Sequence, residues 1–406
     1  MWTTNNAENW FQSAGRKFGL GDFQGAVDDL TKVIELDPMD DEAYFKRGDA
    51  ITRLEKYEEA IAESTKDISL APDFASAYLF RGRCKYKLNN FIGAVEDYTK
   101  AILYKPDNEE AFYQRGLAKS ILEDDQAAIT DFNKAIELNP DSAKAYQLRA
   151  TSKYEVKDLQ GAIADFSKAI EMKPDNAMAY YDRGTIKVEL RQLPEGIADF
   201  TKAIEIEPDY LDPYVNRGHA YMELDNFGGG IADFTKAIEL KPDDAELHRY
   251  RGIANSLTGK YWQALVDLTN AVELKPDFAE AYYDRGVLKS KVKNPYGSIA
   301  DYTKAIDLNL NHGGAYNNRG HAKSASGDFA GAIADFSRAI VLDPALPDPY
   351  NNRGLAYLML GQKGEALADF KKAKELGFHV AQEVFDACEP EPVAGKISNQ
   401  VEGEYL

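Results

Sequence analysis

The chain has 406 residues, of which 44% are hydrophobic, and its formal net charge is −19. A protein that binds nucleic acid in general must neutralise phosphates with lysine and arginine, so this acidic balance argues against that function class. Such a charge suits a protein whose copies repel one another.

Residues 1–6 form a short polar lead-in that we expect to fray, without the basic start and apolar stretch of a secretory signal. The longest apolar runs, such as Leu355–Leu360, are too short to span a bilayer, so no membrane insertion is expected. Cys84 and Cys388 lie far apart and outside any CxxC pair, which argues against a disulfide scaffold or a zinc site. These features predict a cytoplasmic protein.

From residue 7 to residue 380 the sequence repeats every 34 residues without insertion. Apolar residues spaced three and four apart predict two helices per repeat, and a proline ends the second helix. Tiny residues at the eighth and twentieth places indicate where the two helices cross, and aromatic residues at the fourth and twenty-fourth places fill the space beside the crossing. The repeats begin at Ala7, Asp41, Ala75, Glu109, Ala143, Ala177, Leu211, Ala245, Ala279, Gly313 and Pro347.

This pattern resembles the tetratricopeptide repeat over residues 7–380. The resemblance implies an all-α fold, a right-handed α-solenoid superhelix of helix–turn–helix hairpins, in which the first helix of each repeat lines a concave groove. We expect a short helix at 378–388 to cover the exposed end of the stack, as a capping helix. The polar, acidic segment 389–406 is expected to be disordered.

Three repeats depart from the pattern. Ser64 and Asp67 stand at core-facing places in repeat two, which indicates either local loosening or a polar contact with a partner or with a lysine such as Lys66. Gly228–Gly230 begins the second helix of repeat seven and is either a soft joint or a frayed helix end. Pro295 falls in the turn of repeat nine, where we expect the helix spacing to shift.

Charged residues also recur in phase: the twenty-third place is acidic throughout, and the seventh place is an arginine from repeat two onward. This arrangement favours a structural ladder of ion pairs between helices, with a row of ligand-binding arginines as the alternative. The arginines are Arg47, Arg81, Arg115, Arg149, Arg183, Arg217, Arg251, Arg285, Arg319 and Arg353.

The sequence contains no catalytic or metal-binding constellation and no phosphate-binding loop, so we expect neither an enzyme nor a cofactor. None of the histidines belongs to an HExxH motif or a His/Cys cluster. His219 and His321 hold the same place three repeats apart, which is too far to share a metal ion, and we expect structural or surface roles for them.

The resemblance implies that the second, fifth, sixth, ninth, twelfth and thirteenth places face the groove. Aromatic and hydrogen-bonding residues at these places, Asp182 and Asp284 among them, suit an extended or helical peptide, with packing between repeats as the alternative. Basic residues in repeats two and three predict an acidic segment in the partner. The predicted groove residues are Phe45, Lys46, Arg53, Phe80, Arg83, Lys87, Tyr113, Tyr181, Asn216, Tyr250, Tyr283, Asn318 and Asn352.

The sequence therefore predicts a non-catalytic scaffold that binds a protein or peptide partner in the groove of its repeats. Two alternatives stay open. One is a peptide-sensing regulator whose superhelix changes pitch on binding, and the other is a self-assembling structural protein.

Overall fold

A computed structural model of the protein describes residues 2–380 and 382–388. All regular elements among these residues are α-helices, and the described chain divides into two compact parts on either side of the bond between Pro213 and Tyr214. The helices are α1 (Trp2–Gly19), α2 (Phe23–Leu36), α3 (Asp41–Leu54), α4 (Tyr57–Leu70), α5 (Ala75–Lys87), α6 (Phe91–Tyr104), α7 (Glu109–Ile121), α8 (Asp125–Leu138), α9 (Ala143–Glu155), α10 (Leu159–Met172), α11 (Ala177–Glu189), α12 (Leu193–Ile206), α13 (Leu211–Glu223), α14 (Phe227–Leu240), α15 (Ala245–Leu257), α16 (Tyr261–Leu274), α17 (Ala279–Lys291), α18 (Pro295–Leu308), α19 (Gly313–Ala325), α20 (Phe329–Leu342), α21 (Pro347–Met359), α22 (Lys363–Glu375) and α23 (Gln382–Cys388).

Each repeat forms one helical hairpin, as α19 and α20 illustrate. Gly327 takes a φ of +87° in the turn, a conformation that glycine adopts without strain. Asp328 then caps α20, because its side chain accepts a hydrogen bond from the backbone N–H of Gly331 at 2.8 Å. In each part, successive hairpins pack on one another. The prediction of an all-α stack of hairpins is confirmed.

Glycine at the eighth place allows the two helices of a hairpin to approach closely. A Cβ added there would lie only 2.7–2.9 Å from the aromatic ring at the twenty-fourth place of the same repeat, so no side chain fits. The aromatic rings themselves are fully buried, as at Phe336. The positions are Gly82, Gly116, Gly184, Gly218, Gly286, Gly320 and Gly354.

Repeat two is built differently, because Ser64 replaces the aromatic residue at the twenty-fourth place. α3 and α4 pack less closely than the helices of the other hairpins, which confirms the predicted loosening. Phe80 from the next repeat fills the space instead, and its ring lies 2.8 Å from the position of a Cβ on Gly48. Phe80 is therefore a buried packing residue that also lines a cavity beside Phe45, and its role as a groove residue stays a prediction.

Asp67, the other unusual residue of repeat two, pairs with an arginine and not with Lys66. Its Oδ2 lies 2.7 Å from Nη2 of Arg47, whose side chain is completely buried. Glu63, at the usual acidic place, is half exposed and lies 3.9 Å from Arg47. Because the hairpin is open, Arg47 turns inward and meets the acid one helical turn further on. The predicted contact with a lysine is wrong.

Two other departures leave the helices regular. Pro295 is the first residue of α18 and does not lie in the turn; at that position its missing N–H is not needed. α18 has the same length as α16 and α20, and the expected shift in helix spacing stays a prediction. Gly228–Gly230 lies within α14, which begins after its cap, Asn226. A soft joint at these glycines stays a prediction.

The ends of the chain differ from expectation in extent. α1 begins at Trp2, so helix extends through most of the predicted lead-in. α23 spans only Gln382–Cys388, because Gly377 takes a φ of +92° and residues 378–380 are not helical. α23 nevertheless packs against α22, where Phe385 contacts Phe370. The acidic segment 389–406 lies outside the described residues. None of the described helices is both long and apolar enough to cross a membrane.

Ala332→Trp is expected to disrupt repeat ten, because Ala332 is completely buried at the helix crossing. We expect a loss of about 3 kcal/mol in the free energy of unfolding, measured by urea denaturation. The matched control is Ala330→Trp, the same substitution at an exposed position of α20. Equal stability of the two variants would contradict a tightly packed crossing.

The first-helix face as a candidate binding surface

The row of arginines is structural from repeat three to repeat eleven. Each guanidinium group donates two hydrogen bonds to the acid at the twenty-third place of its own repeat, with Nη2–Oδ1 distances of 2.6–2.8 Å and Nε–Oδ2 distances of 2.7–3.0 Å. Such paired bonds fix the orientation of both side chains. The ion-pair ladder is therefore confirmed, and the arginines do not point unpaired into the groove.

The same arginines also connect neighbouring repeats. The third guanidinium nitrogen, Nη1, donates to the side-chain oxygen at the twenty-fifth place of the preceding repeat, over distances of 2.7–3.4 Å. Arg115, for example, contacts both Asp131 of its own repeat and Thr99 of the preceding one. One side chain thus joins three helices.

A lysine at the eleventh place contacts the acid in most repeats, a role that was not predicted from the sequence. Its ammonium group lies 2.7–2.8 Å from the same carboxylate. Repeat eight has Asn255 there, which donates to Asp267 at 3.0 Å. The lysines are Lys17, Lys85, Lys119, Lys153, Lys187, Lys289 and Lys323.

The predicted groove residues all lie on first helices, and neighbouring first helices contact one another within each part. We call this surface the first-helix face. Phe45, Lys46 and Arg53 lie on α3, and Phe80, Arg83 and Lys87 on α5. The others are Tyr113 on α7, Tyr181 on α11, Asn216 on α13, Tyr250 on α15, Tyr283 on α17, Asn318 on α19 and Asn352 on α21.

The tyrosines at the fifth place serve partly as packing residues. The rings of Tyr113 and Tyr181 lie 6.3 and 5.9 Å from the buried aromatic rings of their own repeats, and that of Tyr283 lies 5.9 Å from Tyr302. All three remain partly exposed. Tyr283 also accepts a hydrogen bond from Nδ2 of Asn318 at 3.0 Å. These side chains therefore border the surface and do not project freely from it.

The basic residues of repeats two and three do not form one patch. Lys46 pairs with Glu42 at 3.1 Å, and Arg53 stacks on the rings of repeat one, 5.8 Å from Phe23. Arg53, Arg83 and Lys87 have no ion-pair partner among the described residues. Arg83 and Lys87 lie one helical turn apart on α5, so these two basic groups are available together to an acidic partner.

Arg83 lies over Phe45, the most exposed aromatic residue of the predicted set. The guanidinium group is 5.8 Å from the ring, and 61% of the surface of Phe45 is accessible. A cavity of about 380 Å³ adjoins the pair and is lined also by Leu79, Phe80, Asn108, Asp41, Glu42 and Lys105. The arrangement offers an apolar surface with a cation beside it, and the two carboxylates of the cavity are paired with Lys105 and Lys46.

In the C-terminal part, several side chains on the first-helix face contact other side chains of the same face. Nε of Arg249 lies 2.5 Å from Oδ2 of Asp284. Tyr250 packs against His219, with ring centroids 4.3 Å apart, and burial lowers the pKa of His219. Asn352 donates to Asn317 at 3.2 Å. A cavity of about 550 Å³ nearby is lined by Asn318, His321, Ser290 and Tyr302.

In the N-terminal part, Asp182 on α11 is partly buried and has no hydrogen-bond or ion-pair partner among the described side chains. Burial raises the pKa of this carboxyl group to about 6. Asp284 holds the same place in repeat nine, and its pKa is also raised by burial, although Arg249 opposes the rise. Asp182 is thus a carboxylate that the fold leaves without a cation.

The sequence predicted that both aspartates face the groove, but not that Asp284 has a cation beside it and Asp182 has none. The sequence Tyr-Tyr-Asp-Arg-Gly occurs twice, at 180–184 and at 282–286, and the fifth place of the preceding repeat is Gln147 in one case and Arg249 in the other. Comparison of those two residues could have identified the unpaired carboxylate.

Three family models match the chain over most of its length. Two are described as "Tetratricopeptide repeat": one matches residues 14–67 and 148–210, and the other matches 75–108, 109–142, 211–244, 279–312 and 347–376. The third, described as "TPR repeat", matches 323–361. The chain belongs to the tetratricopeptide repeat family. Its fold is that of a protein-interaction scaffold.

Solved structures of other tetratricopeptide repeat proteins are similar to parts of the chain. YrrB, described as having an unusual peptide-binding site, is 28% identical over 48% of this chain and 97% of its own, with a TM-score of 0.43. A repeat protein from Parabacteroides merdae is 21% identical over 61% and 98%, with a TM-score of 0.47. MamA from Desulfovibrio magneticus is 24% identical over 41% and 95%, with a TM-score of 0.40. No curated protein sequence matches the chain.

The ion-pair ladder of this tetratricopeptide repeat protein predicts that Asp131→Ala strongly lowers the stability of the fold. The side chain of Asp131 is 2% exposed, and its loss leaves Arg115 and Lys119 facing each other without an anion. We expect a loss of about 3 kcal/mol in the free energy of unfolding, measured by urea denaturation. Glu137→Ala, on the same helix, removes an exposed ion pair with Lys134 and should cost less than about 1 kcal/mol. Similar losses would contradict a structural ladder.

Asp182→Asn is expected to stabilise the protein at neutral pH. Below pH 3.8 the carboxyl group is protonated in both the folded and the unfolded chain and has no effect. Between pH 3.8 and about 6 it ionises first in the unfolded chain, so stability falls as the pH rises. Above pH 6 the cost is complete and amounts to about 3 kcal/mol at most.

The melting temperature of Asp182→Asn should therefore exceed that of the wild type at pH 7.5 and equal it near pH 3.5. Asp284→Asn is the matched control: burial raises the pKa of Asp284 too, but Arg249 opposes the rise, so this substitution should raise the melting temperature at pH 7.5 by less than Asp182→Asn does. A lower melting temperature for Asp182→Asn at pH 7.5 would mean that the carboxylate stabilises the fold.

Proposed function

We propose that this tetratricopeptide repeat protein is a non-catalytic scaffold that binds a protein or peptide partner along its first-helix face. The family supports interaction with proteins in general. The choice of the first-helix face rests on one observation, the exposed ring of Phe45 beneath Arg83. The aromatic residues that the fold requires are buried, as at Phe132, so packing does not explain Phe45.

The partner that fits this surface carries an acidic segment with an apolar or aromatic side chain. The apolar side chain would cover Phe45 and enter the adjoining cavity, and the acidic groups would face Arg83 and Lys87. Aromatic and arginine side chains at the centre of an interface contribute much of its binding energy. The charges would mainly direct the encounter and the orientation of the partner.

We further propose that the scaffold acts in the cytoplasm. Cys84 and Cys388 are both unpaired, and burial raises the pKa of the Cys84 thiol to about 12. Buried, unpaired cysteines suit a reducing compartment.

The charge reversal Arg83→Glu with Lys87→Glu is expected to weaken binding of acidic peptides at least about tenfold, which corresponds to about 1.4 kcal/mol. The probes are fluorescein-labelled nonapeptides with three glutamates and one variable apolar or aromatic residue, measured by fluorescence polarisation. The melting temperature should not change, because neither residue is paired within the fold.

The control reverses two exposed lysines on second helices, Lys66→Glu on α4 and Lys100→Glu on α6. This variant has the same change in net charge and should bind the probes as tightly as the wild type. Equal weakening by both variants would indicate general charge attraction. Unchanged affinity in the Arg83 and Lys87 variant would place the binding site outside repeats two and three.

A further inference from the structure

The two copies of the Tyr-Tyr-Asp-Arg-Gly sequence place the same side chains in the same local frame. In both copies the arginine belongs to the structural ladder and the glycine lies at the helix crossing. In both, the ring of the second tyrosine contacts the residue just before the next repeat, Tyr210 in one case and His312 in the other. The remaining residue, the aspartate, can therefore be compared directly between the copies.

In the copy at 282–286, a cation of the chain itself lies beside the aspartate. The guanidinium group of Arg249 donates to Asp284 and lies 5.7 Å from the ring of Phe278 and 5.9 Å from that of Tyr250. His312, beside Tyr283, also lies near the carboxylate, and its Nδ1 accepts a hydrogen bond from the backbone N–H of Ala315. This copy shows that the aspartate at this place can bind the guanidinium group of an arginine.

In the copy at 180–184, the counterparts of Arg249 and His312 are both uncharged. Gln147 holds the place of Arg249, and its amide oxygen accepts a hydrogen bond from Asn176 at 2.8 Å. Tyr210 holds the place of His312. Asp182 therefore lacks the cation and keeps a pair of contacting rings, Tyr181 and Tyr210, whereas the two rings beside Arg249 are replaced by Leu148 and Asn176.

We propose that Asp182 receives the guanidinium group of an arginine side chain of the partner, in the place that Arg249 takes beside Asp284. A partly buried carboxylate attracts a cation more strongly than one in water. Guanidinium is the cation that matches a carboxylate by two hydrogen bonds, which an ammonium group cannot form in the same plane. The inference rests on the proposed function, since the partner must lie on the first-helix face.

The cost of the unpaired carboxylate also supports a role in binding. Its pKa of about 6 means that folding carries a penalty at neutral pH that an asparagine would avoid. A bound arginine would remove that penalty. Residues that reduce stability without a structural reason are typical of functional sites.

The test uses the full chain and fluorescein-labelled nonapeptides of glycine and serine with a central Leu-Arg-Leu, measured by fluorescence polarisation at pH 7.5. Replacement of the arginine by citrulline, which has the same shape without the charge, should weaken binding at least tenfold. Asp182→Asn should remove this difference between the two peptides. Glu195→Gln, which removes one exposed negative charge on α12, should preserve it.

Gln147→Arg is the second variant, because it supplies within the chain the arginine that the partner would provide. It should raise the melting temperature and abolish the preference for the arginine peptide, although Asp182 is still present. Arg249→Gln should create a second site for the same peptide at Asp284. Each of these results would support the proposal.

Three results would overturn it: equal binding of the arginine and citrulline peptides, an arginine preference that survives Asp182→Asn, or one that survives Gln147→Arg. Equal binding of a lysine peptide would overturn the choice of guanidinium over ammonium. None of these outcomes affects binding of acidic peptides at Arg83, so failure of this inference can be distinguished from failure of the proposed function.

Discussion

From repeat three to repeat eleven, each hairpin depends on the contact between one arginine and one aspartate. The pair is largely buried, and an ion pair in such a place contributes little net stability by itself. Its paired hydrogen bonds fix geometry instead, because the guanidinium plane must align with the carboxylate. Through Nη1 the same group reaches the preceding repeat, as Arg115 reaches Thr99. The arginine thus sets the relation between neighbouring hairpins within each part.

Repeat two shows what happens when one member of this arrangement changes. With Ser64 in place of the aromatic residue, the hairpin opens and Phe80 enters from the next repeat. Arg47 then turns to Asp67, one helical turn beyond its usual partner. Phe80 of the next repeat fills the space that the small side chain of Ser64 leaves, and Asp67 supplies the anion for the displaced Arg47. This opening also places Phe45 and Arg83 on a less regular part of the first-helix face.

Periodicity predicted the parts of the fold that each repeat determines by itself. The close contact of Gly320 with Phe336 and the pairing of Arg319 with Asp335 follow from places within one repeat. Contacts between repeats could not be predicted in the same way, because they depend on stacking geometry. The packing of Phe80 against Gly48 was therefore not foreseen, and the unpaired state of Asp182 was missed.

The repeat architecture itself supplies the means to separate packing from binding. A residue at a given place meets the same surroundings in every regular repeat, so a difference between two copies isolates the effect of one neighbour. Asp284 meets Arg249, whereas Asp182 meets Gln147, which is already held by Asn176. If the aspartate at this place served packing alone, a repeat without the neighbouring arginine would be expected to have a neutral residue there. Asp182 carries a charge within the same five-residue sequence although its neighbour is neutral, and the arginine that we propose for the partner would offset the cost of that charge.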